Sequence, residues 1–129
     1  MIEIKGPPSH SPFRLQQLLE ELRKLNDSIE NLGARYVHFI DSSNQLDQKE
    51  LEVLKILLTY GPDWDIGPED GQKIIVIPRL GTISPWSSKA TEIAKLSGLS
   101  KIMRIERGVI YTLVSSGSLE NKDLKSLFG

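Results

Sequence analysis

Apolar positions along the chain fall into two rhythms. Ile2 and Ile4, Val37 and Ile40, and Ile110 and Leu113 mark short strands, and the unbroken run Ile74, Ile75, Val76 and Ile77 predicts a buried strand. Elsewhere the spacing is helical. Leu15, Leu18, Leu19, Leu22 and Leu25 share one face, with Asn26 as a stop, and Leu51, Leu54, Leu57 and Leu58 recur behind Asp47, an acid suited to a helix N-terminus. A third helix is predicted from Pro85 to about Ser97, closed by Gly98, and a short last one from Leu119 to Phe128.

Slid against itself, the sequence matches at an offset of 73. Ile2 and Ile4 fall on Ile75 and Ile77, and Val37 and Ile40 fall on Ile110 and Leu113. Ser11, Pro12 and Phe13 fall on Ser84, Pro85 and Trp86, so both copies enter a helix through Ser-Pro-aromatic. Leu46, Asp47, Lys49, Glu50, Leu51 and Leu54 fall on Leu119, Glu120, Lys122, Asp123, Leu124 and Leu127. Each copy reads strand, helix, strand, helix, over about 1–60 and 72–129, with the turn-rich acidic stretch Gly61 to Gly71 as linker. The expected fold is α+β: an internally duplicated, tandem ferredoxin-like sheet with helices on one face, in a single domain of 129 residues.

Composition narrows the chemistry. There is no cysteine, hence no disulfide, thiol nucleophile or thiolate metal site, which fits a reducing cytosol. Sixteen basic and seventeen acidic residues leave a net charge of −1, without the basic footprint of a nucleic-acid binder. No apolar run is long enough to span a bilayer, and MIEIKGPPSH lacks the pattern of a signal peptide. With only His10 and His38, and no carboxylate cluster beside them, no metal site is assigned. His38, inside a strand, is read as an interior residue rather than a ligand or base.

The stretch with most chemistry is PRLGTISPWSSKATEIA, Pro78 to Ala94. Thr82, Ser84, Ser87, Ser88 and Lys89 crowd one helix start, where free N–H groups and the helix dipole favour an anion. The bland alternative is an ordinary Ser-Pro cap with Trp86 filling the core. It is not a Walker loop, since the second glycine and the Gly-Lys-Ser/Thr ending are missing. The two copies differ here, because Ser87, Ser88 and Lys89 have Arg14, Leu15 and Gln16 as equivalents. A charged patch, Arg104, Glu106 and Arg107, precedes Gly108 on the strand expected beside this junction. One functional reading is therefore a module that captures a phosphate-bearing metabolite at Ser84. An acid–base enzyme using Glu106 or His38 is disfavoured, because neither has a second catalytic group at a fitting spacing.

These same segments, with RIERGVIYTL from Arg104 to Leu113, YVHF from Tyr36 to Phe39 and LLTYGP from Leu57 to Pro62, resemble large, single-chain phosphoribosylformylglycinamidine synthase in its N-terminal domain. Leu80 replaces the family's usual proline and Glu92 its usual aspartate. The resemblance implies a cytoplasmic purine-biosynthesis ligase that uses glutamine and ATP, with magnesium, to form formylglycinamidine ribonucleotide. It implies a fold similar to a dimer of the small subunit of the multi-chain enzyme. The glutaminase and synthetase domains, which carry the catalytic triad, ATP and magnesium, are implied to lie outside this chain and to be its partners; no catalytic residue or cofactor is assigned to the chain itself. Its implied role is to bridge those domains and support ammonia transfer. Arg79, Thr82, Ser84, Trp86, Ser87, Ser88, Lys89, Thr91, Arg104, Glu106 and Arg107 are the expected partner- or channel-facing residues.

Overall fold

Local signals set the helix ends. A computed structural model describes residues 1–77 and 84–117. In it strand β1 (Ile2–Pro8) leads to helix α1 (Pro12–Leu25). The Ser11 side chain accepts from the Arg14 N–H at 3.2 Å, Pro12 holds the first helical position, and Asn26 closes the helix by donating its N–H to the Leu22 carbonyl. Strand β2 (Ile29–Ser42) follows, then helix α2 (Gln48–Leu57). Its capping box is reciprocal: Asp47 accepts from the Glu50 N–H at 2.8 Å, and Glu50 accepts from the Asp47 N–H at 3.0 Å. Strand β3 (Gln72–Val76), helix α3 (Pro85–Leu96) and strand β4 (Ile102–Ser115) complete the described elements. The last helix expected from the sequence, 119–128, lies outside the described residues.

The four described strands form one antiparallel sheet in the order β1-β2-β4-β3. Leu32 and Ile40 of β2 lie opposite Leu113 and Ile105 of β4. Even spacing along each strand puts all four on one face of the sheet. Leu32 and Leu113 pack with Leu19 and Leu22 of α1, while Ile40 and Ile105 pack with Leu54 of α2 and Ala94 of α3. The helices therefore share one face, as the ferredoxin-like expectation required. Fully burying each such Leu or Ile contributes about 1.5–3 kcal/mol, so the two clusters hold the three helices down.

Two expectations need correction. The run Ile74 to Ile77 is no buried strand: among the described strands β3 lies at the edge and pairs with β4 alone, and Ile75, Val76 and Ile77 are 47%, 41% and 50% exposed. An apolar run does not distinguish a central strand from an edge. The offset of 73 also fails in this strand. Ile4 lies opposite His38, but Tyr111, 73 residues after His38, lies opposite Ile74 rather than Ile77. The two central strands do match at that spacing: β2 spans Ile29–Ser42, β4 spans Ile102–Ser115, and Tyr36 lies opposite Val109. An approximate half-turn through that pair exchanges the two central strands.

The stretch expected as a linker is laid against β2. The Ala34 N–H donates to the Ile66 carbonyl at 2.9 Å, and Arg35 pairs with Glu69 at 2.9 Å. Gly67, with φ +80°, sits so close that a Cβ there would lie 2.8 Å from the Gly33 Cα. Only glycine suits that backbone and that approach.

Candidate functional site

The start of α3 is sewn onto β4. Ser84 caps the helix by accepting from the Ser87 N–H at 3.0 Å, with Pro85 at the first helical position. The Ser87 hydroxyl, buried, donates to the Ile105 carbonyl. One turn on, Thr91 donates to the Ser87 carbonyl at 2.8 Å and accepts from the Ile105 N–H at 3.1 Å. Both hydroxyls serve the interior of the domain, unlike the partner-facing role expected for them. Ser88 and Lys89 are exposed on the outer side. Arg79 and Thr82 lie outside the described residues.

Glu106 joins the cap to the charged patch. Its Oε2 takes a 2.7 Å ion pair from Arg104, and its Oε1 accepts from the Ser84 hydroxyl at 3.5 Å. A partly exposed pair of this kind contributes about 1 kcal/mol or less. The Arg107 side chain does not join it. Even positions of β2 and odd positions of β4 form the helix-covered face, and there Arg107 lies opposite His38.

On that face four aromatic groups gather around Arg107. Its Cζ sits over the Tyr36 ring at 4.2 Å from its centre and over the Trp86 ring at 4.4 Å, so the cation contacts two π faces. Trp86 stacks on His38 at 5.6 Å and 26°, and Tyr60 tilts against Trp86 at 6.1 Å. The hydrogen bonds have one consistent direction. The Ile4 carbonyl only accepts, so His38 Nδ1 carries the proton and donates to it at 3.2 Å. Nε2 is then the acceptor, taking the Tyr60 hydroxyl proton at 2.9 Å, and the Tyr60 oxygen accepts from Arg107 Nη1 at 3.2 Å.

Electrostatics keeps this chain in one state. Burial pushes His38 down to about 4, with the Arg107 charge adding to the lowering and the Ile4 hydrogen bond opposing it. Burial raises Tyr60, against the pull of Arg107. At neutral pH His38 is neutral and Tyr60 protonated, so neither acts there as a charged group. The interior role expected of His38 fits this geometry.

Beyond Trp86, an apolar cavity of about 230 Å³ opens between α2 and α3, lined by Leu57, Leu58, Tyr60, Ala90 and Ile93 with Lys89 on its rim. The sequence placed Trp86 and Arg107 in the site but missed Tyr36 and Tyr60. A signal for Tyr36 was present in YVHF, where Tyr36 and His38 stand two apart and so share a strand face. Nothing local announces Tyr60, which arrives from the end of α2. Among the described residues no group of three or more His, Asp or Glu side chains could hold a metal ion, and no helix is long and apolar enough to cross a membrane. Residues 35–128 match the family model for the formylglycinamide ribonucleotide amidotransferase N-terminal region.

Proposed function

The chain belongs to the formylglycinamide ribonucleotide amidotransferase N-terminal family, part of a purine-biosynthesis ligase, and we propose that it couples the glutaminase and synthetase parts of that enzyme. On this proposal it bridges the two and supports the transfer of ammonia between them. Glutamine hydrolysis, ATP and magnesium belong to the partner domains in the cytoplasm, and this chain supplies a docking surface and no reacting group. Ammonia needs a sheltered route, because in water it is protonated and loses its nucleophilic lone pair.

The observation that supports the reading, beside the family match, is the division of labour along α3. Ser87 and Thr91 anchor the helix to β4, which leaves Ser88, Lys89, Ile93 and Leu96 exposed. A rigid helix with an outward polar and apolar face suits a partner of the same polypeptide. Arg79 and Thr82 stay within the proposal as neighbours of that face in sequence.

The test is to compare glutamine-dependent with ammonia-dependent synthesis in the intact enzyme carrying Lys89→Glu. The expected outcome is a loss of about tenfold in the glutamine-dependent rate, corresponding to about 1.4 kcal/mol, with the ammonia-dependent rate retained. Wild-type rates in both assays would sink the coupling role.

A further inference from the structure

Arg107 is held by two aromatic rings and left open along one edge. Its Cζ lies over the rings of both Tyr36 and Trp86, 4.2 Å and 4.4 Å from their centres. Around its rim only Nη1 has a described partner, the Tyr60 hydroxyl, which faces it as an acceptor because its own proton goes to His38. Nε and Nη2 make no hydrogen bond with a described residue. Among those residues no buried side-chain nitrogen or oxygen lacks a partner. Since Arg107 is itself only half-buried, these two atoms must reach the surface.

Its charge is equally uncommitted. None of the three ion pairs among the described residues includes Arg107. Glu106 is engaged by Arg104 and meets Arg107 only through the Arg107 backbone N–H at 3.3 Å. A half-buried guanidinium without a counter-ion, beside aromatic surface, has lost hydration that an anion would replace.

We propose that the Nε–Nη2 edge of Arg107 binds an oxyanion, a carboxylate or a phosphate group, through two parallel hydrogen bonds in the guanidinium plane. Paired N–H donors in a rigid fork match the spacing of two oxygens on one carbon or phosphorus. The aromatic clamp fixes that plane in advance, so little rotamer freedom is left to lose on binding. This site lies in the side-chain cluster on the helix-covered face of the sheet. It uses the donor edge of Arg107 and not the free N–H groups of the helix start at Ser84, and it does not depend on the coupling role.

The chain has two tryptophans, so Trp64→Phe leaves Trp86, stacked on Arg107, as the reporter. The chain is titrated with inorganic phosphate in one arm and with glutarate in the other. Trp86 fluorescence and the NMR signal of the Arg107 Nε–H are followed together. A saturable downfield shift of that Nε–H, with a matching change in Trp86 emission, is expected in at least one arm, and the responding arm identifies the group taken. Arg107→Lys keeps the charge but loses the fork, and is expected to weaken binding at least about tenfold. Silence of the Nε–H in both arms would overturn the proposal, as would equal affinity of Arg107→Lys. Both readouts use chains that retain a cation at this position, so the outcome does not depend on Arg107→Ala folding.

Discussion

Ser87 and Ser88 are neighbours in sequence and opposites in environment. Ser87 is buried against β4 with its hydroxyl on the Ile105 carbonyl, and Ser88 faces outward. Ser87→Ala should destabilise the chain by about 1–3 kcal/mol in urea unfolding, because it strands a buried carbonyl, whereas Ser88→Ala should stay within about 0.5 kcal/mol. His38 carries the pH dependence. Its folded pKa of about 4 lies below the ordinary 6.5, so folding favours the neutral ring. Its contribution is complete above the unfolded pKa and is lost as pH falls through the window between the two values, where only the unfolded chain takes up the proton. Stability should fall by about 1–2 kcal/mol between pH 7 and pH 5, and this loss should shrink in His38→Gln. His10, also lowered by burial and by Arg14, acts in the same direction, so some slope should persist in that variant.

At the scale of elements, what was legible in the sequence was what is chemically local. Ser11, Asp47 and Ser84 cap their helices through contacts three residues away, so the residue types alone identify them. The exposure of Ile75 to Ile77 was illegible, because edge position depends on which strand pairs with β4, a choice made by residues far along the chain. The same holds for the cluster at Arg107, whose members come from β2, β4, α3 and the end of α2. The stretch 61–71 looked like a linker because turn formers dominate it, yet two of its glycines behave differently. Gly67→Ala should cost about 2–4 kcal/mol, since the added methyl meets the backbone of Gly33 and Leu32 at 2.8 Å. Gly61→Ala, at a similar φ but with nothing within 4 Å, should cost only about 1 kcal/mol. Thermal melts of the two variants would show whether the stretch is clamped to β2.

For the whole molecule, two hydrophobic clusters rest on one pair of strands. Leu32 and Ile40, with their partners Leu113 and Ile105, belong to different clusters yet lie on the same two 14-residue strands. Neither cluster can open without disturbing β2 and β4. Urea unfolding of the Trp64→Phe chain followed by Trp86 emission and by helix circular dichroism should therefore give coincident transitions, with a slope of about 1–3 kcal/mol per molar. Separate midpoints would show that the halves unfold independently.

The half-turn that exchanges β2 and β4 has a further consequence. That pair of strands looks alike from both ends, so its backbone alone does not mark a direction along it. The side chains break the tie. Where one end has Arg107, Tyr36 and Trp86, the other has Ala34, Val109 and a Phe13 that is 71% exposed. The two ends of the strand pair therefore present different chemistry, a cation between aromatic rings at one and the His10–Tyr111 contact beside exposed hydrocarbon at the other.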